Sequence, residues 1–274
     1  MTQFLTLEGL AAQIPDGAHI AIPPDYSFVA MAASRALIRR GAHHLRLLGV
    51  PTSGMQADLL IGAGCVAEIE AAGVALGEAG LAPRFSAAAR AGTLAIKDTT
   101  CPAIHAALQA AEKGIPFMPL RGILGSDIAT RRTDWRRAEN PFAATDAGGD
   151  PILLLPAISP EIALFHSPAA DRDGNVWIGR RRELVTMAHA ARKTFVTVEK
   201  IVEDGLLASE ASAAGTLPAL YVTAIAEAPR GAWPLGLGDD YEADGKHLSA
   251  YAEAARSEAG FRGYLEEYVL PHAF

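Results

Sequence analysis

The sequence predicts an α/β chain: an open, mostly parallel sheet flanked by helices and finished by C-terminal helices. Short apolar runs alternate with helical segments through the first half, the arrangement that right-handed crossovers between parallel strands require. Pro, Gly and Ser collect at the ends of those runs, where turns must form. At 274 residues, half of them hydrophobic, the chain buries roughly three-quarters of its unfolded surface without needing staples. No linker or repeat forces a boundary, so residues 1–274 are expected to form one domain.

The first strand is predicted at His19 to Ile22, ending at Pro23-Pro24. Asp25 then caps a helix whose apolar residues Phe28, Met31, Ala32 and Ile38 follow helical spacing, and Gly41 stops it. Leu45 to Val50 forms the next strand, followed by the turn Pro51-Thr52-Ser53-Gly54. Asp58 to Ala71 has helical character weakened by Gly62 and Gly64. A short helix at Phe85 to Arg90 precedes a strand at Leu94 to Ile96, a helix after Pro102 and a strand at Ile115 to Leu120. Residues 128–150 turn polar and charged, which predicts an exposed loop or flap ending in the turn Gly148-Gly149-Asp150-Pro151. Ile152 to Leu155 and Ile162 to Phe165 resume the sheet, Glu183 to Arg192 is helical, and Thr194 to Val198 and Leu220 to Ala226 are strands. Two amphipathic helices between Lys246 and Val269 close the chain.

Thr99-Thr100-Cys101-Pro102 marks a strand end followed by a helix start. Pro suits the first helical position, which makes Cys101 the expected N-cap. A thiol there feels the positive end of the helix dipole and is drawn towards thiolate, and ligands of open α/β sheets gather beyond the strand carboxyl ends. Cys101 is therefore the candidate catalytic residue within this chain, against the plainer reading of a small buried capping residue. Two cysteines, Cys65 and Cys101, make no disulfide framework, so a reducing cytoplasm is the expected location. The start of the chain lacks the layout of a secretory signal, and no apolar run reaches the length of a membrane span. A net charge of −7 argues against a nucleic-acid partner.

Asp171-Arg172-Asp173-Gly174-Asn175 has the Asp spacing of a calcium loop, but its Gly comes too early and no Glu closes it. A tight turn using Gly174 and Asn175 for positive φ is the expectation. The eight histidines have no zinc-ligand spacing, so no metal site is expected. Dinucleotide, P-loop and Gly-x-Ser-x-Gly signatures are absent from the sequence. The loop from Arg121 through Gly122, Gly125 and Ser126 follows a strand, and either cradles a carboxylate or phosphate or is a solvated connection. Gly179-Arg180-Arg181-Arg182 either meets phosphates such as those of coenzyme A or is a wet surface.

The order of these words resembles the α subunit of family I coenzyme A transferases, in particular the glutaconate CoA-transferase α type. The resemblance runs nearly end to end: Asp16-Gly17 with Ile20-Ala21-Ile22, Leu60-Ile61-Gly62-Ala63-Gly64, Leu81-Ala82-Pro83-Arg84-Phe85, Ile115-Pro116-Phe117-Met118-Pro119 and Leu124-Gly125-Ser126-Asp127. It continues in Ala170 to Asn175, Thr197-Val198-Glu199 and Ala228-Pro229-Arg230-Gly231-Ala232-Trp233-Pro234.

The resemblance implies an open α/β subunit that pairs with a β subunit, the active site lying between them. A Glu of the β part attacks the acyl-CoA, and CoA passes to a second carboxylic acid through an anhydride and an enzyme thioester. CoA thioester is then a substrate, with no tightly bound cofactor expected. Pro23, Pro24, Ser53, Arg121, Gly122, Gly125 and Ser126 form the expected substrate-binding set. Two positions depart from the family. Pro23-Pro24 stands where the family has Gly-Gly, which removes two N–H donors and fixes φ. Cys101 stands where transferases of the family carry Gln or Glu and where a related hydrolase branch carries a catalytic Glu. Ser257-Glu258-Ala259-Gly260 echoes the β-part nucleophile word but lies in the C-terminal helical region. The expectation is a heteromer in which this chain alone is inactive. The alternatives are a subunit of a CoA-ester or ring-opening hydrolase and a non-catalytic sensing or scaffolding homologue.

Overall fold

The computed structural model describes residues 1–144 and 149–270; Gly148 of the expected turn and His272 lie outside the described residues. The strands are β1 (Gln3–Leu5), β2 (His19–Ile22), β3 (Leu45–Gly49), β4 (Val66–Ala71), β5 (Ala95–Asp98), β6 (Phe117–Leu120), β7 (Arg136–Glu139), β8 (Pro151–Pro156), β9 (Ile162–Asp171), β10 (Val176–Trp177), β11 (Lys193–Val202), β12 (Thr216–Leu217) and β13 (Ala224–Glu227). The helices are α1 (Leu7–Ala12), α2 (Met31–Arg40), α3 (Met55–Gly62), α4 (Pro83–Ala91), α5 (Cys101–Glu112), α6 (Asp127–Arg131), α7 (Arg182–Ala190), α8 (Glu210–Ala213), α9 (Gly245–Ala254) and α10 (Glu258–Tyr268).

The main sheet runs β1-β13-β11-β9-β2-β3-β4-β5, and every pair along that path is parallel. Its open, mostly parallel α/β form is the one the sequence predicts. Chain order reverses direction between β2 and β9, where Ile20 pairs Ile162 and Ala21 pairs Ala163. At such a switch point the connections leave on opposite sides of the sheet and open a crevice beyond the carboxyl ends.

Helices cover both faces, so neighbouring residues of one strand enter different cores. Ile20, Leu47, Leu164 and Phe195 join one buried cluster under α1 and α2. Ala21, Leu48, Phe165 and Val196 join the other, with Ile104 and Leu108 of α5 and Leu184 and Met187 of α7. Phe165 and Phe195 are fully buried, and truncating either to Ala costs about 3–5 kcal/mol. A further layer forms where α9 and α10 pack Tyr251, Phe261 and Tyr264 on Met55 and Leu59 of α3. The buried Asp58 carboxylate fastens this layer, accepting Phe85 N–H at 2.7 Å and the Tyr251 hydroxyl at 2.7 Å.

Several expectations are corrected. Residues 25–30 are not helical, because α2 begins at Met31 and Phe28 adopts φ +57°. Asp58 to Ala71 divides into the end of α3 and strand β4; Gly64, at φ +75°, makes the turn between them. The runs 117–120 and 152–155 leave the main sheet and form, with β7, a separate antiparallel sheet ordered β6-β8-β7. The expected flap thus contains α6 and β7, and Trp135 is buried there with Leu153 and Leu155. That competing pairing was invisible to periodicity, since a short apolar run carries no mark of the sheet it joins.

In the Asp171 turn, Gly174 takes φ +92° whereas Asn175 does not enter the left-handed region. The Asn175 side chain bonds instead, donating to Asp171 Oδ2 at 2.8 Å and accepting Ala219 N–H at 2.9 Å. Ser257 caps α10, and Glu258 is an exposed carboxylate paired with Arg84. No helix among the described residues is long and apolar enough to cross a membrane, and no group of metal-ligating side chains is gathered among them.

Candidate active site

At the switch point β2 runs into Pro23-Pro24. Both prolines are buried, and a turn closed by Ser27 N–H on Pro24 O follows at 2.8 Å. This turn presents Tyr26 outward, 75% accessible. Its Asp25 turns inward: Oδ2 accepts Met55 N–H at 2.9 Å and so caps α3, while Oδ1 is buried without a partner. Asp25 therefore caps a helix distant in sequence rather than the one that follows it. Burial pushes its carboxyl up to about 6, with the Met55 N–H opposing the shift and Asp58 adding to it.

Ser27 is buried and donates its hydroxyl to Glu183 Oε1 at the start of α7. Phe28, at φ +57°, offers its carbonyl to His166 N–H at 2.6 Å and its ring to the Arg181 guanidinium, 3.6 Å from the centroid. The loop is held on both sides by side-chain and main-chain bonds, which sustains a conformation that a bulky residue seldom adopts.

Ser53 follows β3 into the same edge. Its N–H donates to Gly73 O and its carbonyl accepts from Ala75 N–H, leaving a buried hydroxyl without a partner. Cys101 is the first residue of α5, not its N-cap: Thr100 caps the helix, accepting Ala103 N–H at 3.3 Å. Pro102 occupies the second helical position, equally free of an N–H requirement, which moves the cap one residue earlier. The thiol is exposed, which removes the reading of Cys101 as a buried capping residue. Burial raises the Tyr26 phenol, with Glu183 adding to the shift. One turn along α5, burial lowers His105 while Glu183 opposes.

The remaining expected residues are engaged elsewhere. Arg121 pairs with Asp150 and lies along a groove on the three-stranded sheet with Phe117 and Phe142. Gly122 and Gly125 face open space. Ser126 caps α6 through Ala129 N–H and donates to Ile123 O at 2.8 Å. Of the expected set, the loop and strand-end residues Pro23, Pro24, Ser53 and Cys101 thus come to the carboxyl edge of the main sheet, and the 121–126 group belongs to the smaller sheet.

Sequence reasoning missed the network that steadies this edge. His166, fully buried, places Nδ1 2.8 Å from Thr197 Oγ1 and Nε2 2.8 Å from Glu199 Oε1. Glu199 also accepts the Tyr241 hydroxyl at 2.7 Å, Gly231 N–H at 3.1 Å and, on Oε2, Arg230 N–H at 2.6 Å. Burial alone would raise this carboxyl, but the bonds from His166, Tyr241 and Arg230 N–H hold it down to about 2. His166 itself is lowered, burial outweighing its Glu199 partner. Gly231 O in turn accepts Ala32 N–H at 2.8 Å, so the loop that Glu199 anchors also secures the start of α2. The Thr197-Val198-Glu199 word and the Ala228 to Pro234 word were the available signals; that the two meet was not legible.

A parallel sheet with a topological switch point, and with the loops after β2, β3 and β5 at its carboxyl edge, is the frame of an α/β enzyme subunit. A family profile described as Coenzyme A transferase matches residues 4–228, and the chain belongs to that family, as a chain of the α-subunit type. The A chain of 3-oxoadipate CoA-transferase from Pseudomonas knackmussii is 30% identical over 277 residues, covering 98% of this chain and 94% of that protein. The cholesterol ring-cleaving hydrolase IpdA subunit of Rhodococcus jostii is 30% identical, covering 87% and 82%. A longer protein of Archaeoglobus fulgidus is 30% identical over 96% of this chain, which spans 58% of its length. Among solved structures, glutaconate coenzyme A-transferase of Acidaminococcus fermentans superposes with TM-score 0.88 at 26% identity, covering 98% of this chain and 89% of that one. A cysteine-to-serine variant of the decarboxylase AibA/AibB superposes with TM-score 0.81 at 29% identity, covering 97% and 99%.

Proposed function

We propose that this chain is the α half of a heteromeric enzyme that moves CoA between an acyl-CoA and a carboxylic acid, working in the cytoplasm with a β subunit. The observation that carries this reading is likeness over nearly the whole chain to the corresponding chains of two CoA-transferases named for 3-oxoadipate and glutaconate. In the proposed reaction a carboxylate of the β partner attacks the thioester carbon and displaces CoA thiolate, leaving an acyl anhydride. The thiolate then attacks the enzyme-side carbonyl of that anhydride, giving an enzyme thioester and releasing the first acid; the second acid repeats the sequence in reverse.

The role of this chain is to shape and dry the acid-binding side. Pro23 and Pro24 supply a rigid apolar wall without N–H donors, and Ser53, Tyr26 and Cys101 are the polar groups proposed to meet the substrate. Cys101 lines the site and does not replace the partner's carboxylate.

The test is the intact mass of each chain of the purified complex after brief exposure to acyl-CoA. A CoA adduct on a second subunit supports the reading, and turnover by rigorously partner-free chain refutes it. The hydrolase alternative is favoured by the likeness to the IpdA subunit, and is distinguished by acyl-CoA consumption that needs no acceptor acid.

A further inference from the structure

The arginine run that the reaction above leaves unused lies at the same carboxyl edge. Arg180, Arg181 and Arg182 line an open crevice of about 590 Å³, with Phe28 and Trp177 among its walls. Among the described residues no carboxylate bonds to any of the three guanidinium groups, and Nε of Arg181 is buried without a partner. The Arg181 head stacks over Phe28, its guanidinium carbon 3.6 Å from the ring centroid, which restrains the head against that ring. Arg181 is also the N-cap residue of α7, a helix whose start has no side-chain cap.

Arg181 is half-buried, and a guanidinium partly withdrawn from water gains from an anionic partner. Here no carboxylate of the described residues fills that role, the Phe28 ring holds the head on one side, and the uncapped start of α7 adds positive potential on the same side. Asp239 and Asp240 also line this crevice. Burial lowers Arg181, as does Arg180, whereas Glu183 and Asp239 act in the opposite sense. The carboxylates keep the crevice from being a diffuse cationic surface, so an entering anion is selected by contact with the Arg181 fork.

We propose that Arg181, flanked by Arg180 and Arg182, forms an oxyanion-binding subsite for a phosphate or a carboxylate carried by the substrates, with the apolar face of Trp177 beside it. The planar fork suits two oxygens of one anion at once, which a lysine would not reproduce. Identifying the anion as part of an acyl-CoA or acid rests on the transferase reading.

Isothermal titration of the full-length chain with CoA, 3′-dephospho-CoA and glutarate tests it. The Arg181→Gln variant is expected to weaken binding of at least one probe by about tenfold or more, the loss of one charge-assisted contact. Arg181→Lys recovers part of that loss. A fall confined to the CoA probes assigns the anion as phosphate, and a fall confined to glutarate assigns it as carboxylate. Where Arg181→Gln does not fold, the exposed pair Arg180→Ala with Arg182→Ala is expected to weaken the same probe. Unchanged affinities in these variants, or no binding of any probe to the unaltered chain, overturns the proposal. Failure of the transferase reading is separate: a complex that exchanges no CoA leaves an Arg181-dependent anion affinity standing.

Discussion

Replacing Glu199 by Gln tests the buried network that fixes the loops of the crevice. The carboxylate is shifted from 4.5 to about 2, and its side chain is 17% accessible. At about 1.4 kcal/mol per unit the shift corresponds to roughly 3 kcal/mol of folding stability. Because the folded value is depressed, that contribution is complete above the unfolded value near 4.5 and is lost as pH falls towards 2. Roughly two-fifths of it is gone by about pH 3.5. In Glu199→Gln the amide oxygen can keep the bonds from Tyr241, His166 and Gly231, but the amide NH₂ then meets Arg230 N–H, donor against donor, where 2.6 Å now separates them. Urea denaturation at pH 7 is expected to show a loss of about 3 kcal/mol, and the gap between the two proteins should narrow towards about pH 3.5. A loss below about 1 kcal/mol, or a gap independent of pH over that range, would refute the assignment of a structural carboxylate held ionised by its donors.

Two further outcomes follow from packing at the same edge. A Cβ at Gly54 would sit 2.1 Å from Asp25 Oδ2 and 2.6 Å from the Ala75 carbonyl oxygen, so Gly54→Ala must displace the cap of α3. A cost of about 2–4 kcal/mol is expected, read as a fall in thermal midpoint; an unchanged midpoint would show that Asp25 does not cap α3. For the thiols, Cys101 is exposed, whereas Cys65 is buried and pushed up to about 11 by that burial. A native-state thiol reagent should label one site at Cys101 and reach Cys65 only in denaturant; equal labelling rates would contradict this packing.

The sequence by itself determined the kind of sheet and most of its elements. Strand β2, strand β3, helix α5 and the C-terminal pair α9 and α10 were legible because each carries its own periodicity and its own stops. The run of words from Asp16-Gly17 to Trp233-Pro234 likewise identified the family. The candidate site was legible in part. Cys101, read from the helix start at Pro102, and Pro23-Pro24, read from the end of the first strand, lie at the carboxyl edge of the main sheet, whereas Arg121 to Ser126 belong to the smaller one. Tertiary structure alone decided that β6 and β8 pair with β7 instead of joining the main sheet, that Asp25 caps α3, and that Glu199 binds a loop about thirty residues away. The reason is physical: an apolar run or a capping carboxylate shows its chemistry locally, but its partner is set by which strand ends lie side by side once the sheet has reversed direction between β2 and β9.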